Sequence, residues 1–266
     1  MLFSEFDRVL YRDNPLVEVI CQFRFPTILR IREGKLADFQ DGVRKDYPLY
    51  TEQKPSFDLS SQVPRELAAI IERINIPMPA GLVTHRFSTK DSGRFISVSD
   101  EFMALAQTKY ERWEAFRDEI VKAESALRRV YEPAFYSRVG LRYRDVISRK
   151  RLGFPDAPWR ELLKPHIVAE LGDPEVSASI ASIRTRTVIK IPDIAGAQVT
   201  LIHGLATQPQ VDDEECYVID ADFSVDRKEG LDEPLEILDK FNRLAGRLFR
   251  WAIEERLHSA MGPKPI

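Results

Sequence analysis

Residues 215–225 read ECYVIDADFSV and alternate apolar with polar side chains, as a half-buried β-strand does. Asp220 and Asp222 share the polar side of this strand. Leu231–Met261 follows, with apolar residues at intervals of three and four, and this spacing predicts one amphipathic helix about 45 Å long. A proline near its start and a glycine after its end mark its limits. The wide apolar stripe predicts that the helix packs on a sheet.

The upstream sequence supplies strands for that sheet in two similar series. The first series is a strand ending at Phe25, a short helix at Lys35–Tyr47, three strands within 83–107 and a long helix from Thr108 to Val130. The second is a strand at Phe135–Ser148, a weak helical region at Trp159–Leu171, three strands within 180–225 and the final helix. We therefore predict an α+β fold with two pattern-related halves, 1–133 and 134–266. The halves would share one antiparallel sheet with both long helices on one face.

One segment between these elements has no clear pattern. Tyr50–Pro79 is rich in proline, and only a short helix at Arg65–Arg73 is suggested there.

Composition limits the class of protein. The chain has 266 residues, 44% of them hydrophobic and 30% charged, which is typical of a soluble globular protein. No apolar run is long enough for a membrane span and no signal peptide is evident, so we predict a cytoplasmic protein without a membrane partner. Cys21 and Cys216 lie in separate strand-like runs, as reduced, buried thiols would. A net charge of −3 gives no overall attraction to nucleic acid.

Three motifs resemble a known family. They are NPLVEVICQFRFP at 14–26, RVGLRYRDVI at 138–147 and YVIDADF at 217–223, ahead of a long C-terminal helix. Together they resemble a sporadically distributed bacterial family of about this length whose members have no assigned function. That family has asparagine at about the position of Asp145, so the resemblance assigns no role to this side chain. The resemblance implies a bacterial source and an accessory role, and it implies no reaction.

Basic side chains alternate along two predicted strands of the second half. If the apolar sides of these strands face the helices, the cations share the opposite face. This basic face could hold a phosphate backbone or an acidic partner, although it could also be an ordinary solvated face neutralised by aspartates on neighbouring strands. The candidate binding residues are Arg138, Arg142, Arg144, Arg184, Arg186 and Lys190.

A metal site is a weaker candidate. Asp220 and Asp222 point the same way, and His203 on a neighbouring strand could complete a divalent-cation site. The alternative is that the two aspartates pair with the arginines, because no third carboxylate has a fixed place. No cofactor-binding motif and no catalytic motif is present in the sequence, so we predict no cofactor and assign no catalytic residue.

The polar side of the final helix offers a third surface. Trp251 lies there beside Arg247 and Arg250, and tryptophan and arginine are frequent at protein interfaces. Trp251 could instead pack on the N-terminal segment of its own chain.

These observations favour a non-enzymatic cytoplasmic binding protein of an accessory bacterial system, of the defence or toxin-control type. Its partner would be another protein or a second copy of the chain. The first alternative is a nucleic-acid-binding module that uses the basic face, and the second is a metal-dependent enzyme.

Overall fold

The computed structural model describes residues 2–53, 83–208, 214–231 and 233–266. The predicted helix at Arg65–Arg73 and most of the Tyr50–Pro79 segment lie outside these ranges. The strands are β1 (Val9–Tyr11), β2 (Leu16–Arg24), β3 (Leu49–Gln53), β4 (Thr84–Ser88), β5 (Arg94–Val98), β6 (Phe102–Gln107), β7 (Tyr136–Ile147), β8 (Arg184–Lys190), β9 (Ala197–Gln208), β10 (Glu214–Leu231) and β11 (Pro263–Pro265). The helices are α1 (Leu29–Arg32), α2 (Ala37–Val43), α3 (Trp113–Tyr131), α4 (Pro165–Val168), α5 (Pro234–Ala252) and α6 (Glu255–Ala260), with 3₁₀ turns at Trp159–Glu161, Ala169–Gly172 and Ser177–Ser179.

Nine strands form one antiparallel sheet in the order β3-β4-β5-β6-β2-β7-β10-β9-β8. This confirms the predicted α+β class with a large antiparallel sheet. Apart from β3, which the sequence did not predict, the order is symmetric about the pair β2 and β7. Each of these two strands begins a series, and the last strand of the same series pairs with it. The division of the chain into two domains, 1–133 and 134–266, stays a prediction. The sheet is continuous from the strands of one half to those of the other.

Both long helices lie on one face of the sheet. Their apolar stripes and the alternate residues Val19, Cys21 and Phe23 of β2 belong to one buried core. The two helices also contact each other, because Asp239 of α5 accepts hydrogen bonds from Nε1 of Trp113 at 2.8 Å and from Nε of Arg117 at 2.9 Å. Burial of these stripes, rather than intrinsic helix propensity, holds the helices in place.

The predicted single helix at Leu231–Met261 is wrong, because the structure divides this segment. Strand β10 continues to Leu231, α5 ends at Ala252, and the chain is extended at Ile253 before α6 begins. The reason is a contact from a distant segment: Ile253 forms a β-bridge with Leu163, and the backbone of residue 254 donates to the carbonyl of residue 162 at 2.9 Å. The apolar spacing continues through the break because α6 also buries Leu257.

The chain termini meet beside α6, where β1 pairs with β11. The hydroxyl of Tyr11 lies 2.7 Å from Nδ1 of His258. No helix in the described parts of the chain is long and apolar enough to cross a membrane.

Candidate binding face

The register of the strands decides which side chains share the face that α3 and α5 do not cover, which we call the second face. One row across the sheet runs Glu18–Arg144–Asp220–Ile202–Arg186, because these residues are direct cross-strand partners. Directly opposed residues project to the same side of a sheet. The structure therefore places all six predicted cations on the second face, but in two different settings.

The β7 arginines are balanced by carboxylates of β10. Arg142 binds Asp220 through two hydrogen bonds, Nε to Oδ1 at 2.7 Å and Nη2 to Oδ2 at 2.5 Å. The side chains are 14% and 12% exposed, so this is a largely buried bidentate ion pair. The aspartate partners expected as the alternative to phosphate binding are thus present.

Arg138 is held against the sheet by hydrogen bonds to two neighbouring side chains. Its Nη1 donates to Oε1 of Gln22 at 2.7 Å and its Nη2 to Oδ2 of Asp222 at 3.1 Å. The guanidinium lies over Gly140, where an added Cβ would be 2.5 Å from Nη1. Glycine at this position is therefore what allows Arg138 to lie flat. Arg24 is the cross-strand neighbour of Arg138, and burial together with this second cation lowers the Arg24 pKa.

Glu18 is a buried carboxyl group at the centre of the second face. It lies opposite Arg144 and is 5% exposed, and its Oε2 makes no hydrogen bond. Burial raises the pKa of Glu18 to about 7, although the positive charges of Arg142 and Arg144 act in the opposite direction. Burial also raises the pKa of Asp222. The central part of the face is thus a set of desolvated, mutually compensating charges rather than a free basic patch.

The β8 cations have a different environment. Arg184, Arg186 and Lys190 are exposed, and within the described residues none of the three forms an ion pair. Val188 between them is 42% exposed. This strand is at the edge of the sheet, with β9 on one side. Of the six predicted cations, the three exposed ones therefore lie along one edge of the sheet.

The proposed metal ligands do not come together. Asp220 and Asp222 lie on the second face, whereas His203 is opposite Ile219 and Thr185 and projects to the helix side. There its Nδ1 is 2.8 Å from the hydroxyl of Tyr217, and burial lowers its pKa. The suggestion of a site shared by these three residues is wrong, because the register puts His203 on the other face. The described residues contain no cluster of histidine, cysteine and carboxylate side chains able to hold a metal.

The surface predicted around Trp251 is covered by the chain itself. The indole packs on Phe3 and on His166, with ring centroids 5.2 and 4.0 Å apart. Arg247 pairs with Glu5 at 2.6 Å. Arg250 pairs with Glu255 at 3.1 Å and lies 5.1 Å from the ring centroid of Phe6. The N-terminal segment thus occupies this surface, so these three residues are not our candidate for partner recognition.

One half-buried carboxyl group on the helix side was not among the predicted site residues. Asp145 lies between Leu16 and Ile219 of the neighbouring strands. Burial, aided by the charge of Asp220, raises the Asp145 pKa to about 8. Its position on the apolar side of an alternating strand was the available signal, since Val139, Leu141 and Tyr143 precede it there.

Comparison with protein-family models and with curated proteins finds no match to this chain. The geometry of the second face is therefore the basis of the functional argument.

Proposed function

We propose that the protein is a non-enzymatic cytoplasmic binding protein of an accessory bacterial system, of the defence or toxin-control type, and that it recognises a protein partner through β8. The observation that carries this proposal is the row of three exposed cations without an ion-pair partner among the described residues, Arg184, Arg186 and Lys190, at an edge strand with an exposed valine. An apolar contact flanked by charges is typical of protein recognition sites.

The central arginines have another role in this proposal. Arg138 and Arg142 already satisfy Asp222 and Asp220, so a ligand phosphate would have to displace buried carboxylates. They stabilise the sheet and keep the middle of the second face close to neutral. The binding surface that remains from the predicted set is the β8 group.

Nucleic acid is the alternative partner, since exposed cations in a row also suit phosphates. Nuclease separates the two partners. Each phosphate contact releases a counterion, so binding of nucleic acid by three β8 cations would give an affinity that falls steeply between low and physiological salt. Contacts of the same cations with carboxylates of a protein are also screened by salt, so the decision rests on whether the partner survives nuclease.

The test is capture of partners from a bacterial lysate by the tagged protein, with and without nuclease. Arg184→Glu/Arg186→Glu is compared with Lys240→Glu/Arg243→Glu, which makes the same change in charge at exposed positions of α5. We expect one protein to be retained after nuclease treatment by the wild type and the α5 variant, and lost from the β8 variant. Retention of nucleic acid, or a partner lost on digestion, would favour the alternative. Equal capture by both variants would show that β8 is not the binding surface.

A further inference from the structure

Among the residues that the structure describes, no strand lies on the outer side of β8, and its outward backbone groups follow a regular pattern. The carbonyl of Ile183 accepts from the amide of Leu205 at 3.1 Å, and the amide of Ile191 donates to the carbonyl of Ala197 at 2.9 Å. In an antiparallel pair, alternate residues direct their backbone groups toward the partner strand. The odd-numbered residues of β8 therefore bond to β9, and the even-numbered residues direct their N–H and C=O groups outward.

The outward backbone groups belong to the same residues that form the candidate surface. Arg184, Arg186, Val188 and Lys190 present their amides and carbonyls at the edge and their side chains on the second face. Within the described residues, no strand pairs with this edge. A strand added here would gain main-chain hydrogen bonds, and its alternate side chains would lie beside these four.

The positive side chains of β8 favour some added strands and disfavour others. A second copy pairing antiparallel through its own β8 would put Arg184 opposite Lys190, Arg186 opposite itself or Arg186 opposite Lys190 in every register that pairs at least three of these residues, because only even-numbered residues can form the bonded pairs. Like charges directly opposite each other destabilise a sheet. The edge therefore disfavours self-association, in the way that charged edges prevent aggregation, and favours an acidic strand.

We propose that β8 binds an extended acidic segment of a partner protein by antiparallel strand addition. The segment would carry the pattern acidic-x-apolar-x-acidic-x-acidic, with its residues opposite Lys190, Val188, Arg186 and Arg184 in that order. Main-chain hydrogen bonds give the affinity, and the alternation of charges sets the register. This inference rests on the proposed function, since it specifies how the partner of β8 is recognised.

The first test uses fluorescence anisotropy of a labelled peptide, Thr-Glu-Thr-Val-Thr-Glu-Thr-Glu-Thr, with the full chain. A peptide of the same residues with its three glutamates consecutive is the control, since at least one of the acids would then face away from the cations. We expect the alternating peptide to bind at least tenfold more tightly. Equal affinities would show that only total charge matters and would overturn strand addition.

The second test removes one main-chain donor and keeps every charge. Methylation of the peptide nitrogen at valine blocks an N–H that faces β8, whereas methylation at a neighbouring threonine blocks one that faces solvent. The corresponding protein variant is Val188→Pro, which removes an outward N–H and keeps the amides that bond to β9. We expect at least a tenfold loss for methylation at valine and for Val188→Pro, and little change for methylation at threonine.

The two proposals can fail separately. If lysate capture depends on Arg184 and Arg186 but neither valine methylation nor Val188→Pro weakens binding, strand addition is wrong and protein recognition by β8 stands. If Val188→Pro misfolds by circular dichroism, the methylated peptides still decide the question, since they leave the protein unchanged. If no protein is captured and the acidic peptide does not bind, both proposals are wrong.

Discussion

Reversing the charge of Arg142 should destabilise the protein, whereas the same reversal at Arg186 should not. The Arg142 side chain is 14% exposed and bonded twice to Asp220, and the charges of Asp222 and Glu18 also stabilise its charged form. Arg142→Glu would leave these acids without that cation and would add another carboxylate among them. Removing one partner of a buried ion pair costs about 3–5 kcal/mol, so we expect a loss of at least about 3 kcal/mol.

The matched variant is Arg186→Glu, at an exposed position without an ion-pair partner among the described residues. Surface substitutions of this kind change the free energy of unfolding by about 0.5 kcal/mol or less. The assay is urea unfolding at pH 7 followed by circular dichroism, with the midpoint and the slope fitted for each variant. Arg142→Glu within about 1 kcal/mol of the wild type would refute the assignment of this arginine to a buried structural pair.

A double-mutant cycle isolates the pair itself. Arg142→Met and Asp220→Leu each leave one buried charge without its partner, whereas the double variant removes both. Replacing both members of a buried pair by apolar residues is often nearly neutral. We therefore expect the double variant to be more stable than either single variant, with a coupling energy above about 1 kcal/mol. Additive losses would show that the two side chains act independently.

Other predictions concern glycine and pH. Gly204→Ala should cost at least about 2 kcal/mol in urea unfolding, since φ is +154° and the added Cβ would lie 2.0 Å from the carbonyl oxygen of Ile183; a neutral effect would contradict this close approach. Gly246→Ala should stabilise by about 0.5–1 kcal/mol, because this helical position is exposed and nothing lies within 4 Å of the new methyl group; a loss in thermal melts would contradict it. Asp145, with its pKa raised to about 8, binds a proton in the folded state that the unfolded chain releases near pH 4, so stability should fall as pH rises from about 4 to 8. Asp145→Asn should remove part of that slope and gain at least about 1 kcal/mol at pH 8; an unchanged slope would show that Asp145 is not the titrating group.

The alternation of apolar and polar residues in the sequence correctly predicted which side chains of a strand lie on the same face. Val139, Leu141 and Tyr143 are buried on the helix side, and the arginines between them lie on the second face. A strand has a period of two residues, so this property needs no information from elsewhere in the chain. The same reasoning could not choose between structural and binding roles, because Arg142 meets Asp220, which is 78 residues away in the sequence.

The sequence does not reveal the register between neighbouring strands, which determines the side chains that meet across the sheet. A slip of one residue moves a side chain to the other face, and the sequence does not fix how β9 lies against β10. Alternation alone therefore allows His203 to share a face with Asp220, whereas the observed pairing puts it opposite Ile219. The interruption at Ile253 has a similar origin, because its bridge to Leu163 is a long-range contact that apolar spacing cannot reveal.

The two settings of the cations suggest how one sheet combines stability with recognition. In the centre, both neighbouring strands supply side chains, so Arg142 can be paired and removed from water. At the edge, a strand has only one neighbour, and β9 presents Ile202 and Thr200 beside Arg186 and Val188 rather than acids. In the part of the chain that the structure describes, β8 has no second neighbouring strand, so its cations have no facing carboxylates and its outer backbone groups no partner strand. An acidic strand would supply both the hydrogen bonds and the carboxylates, so charge and edge geometry specify the same type of partner.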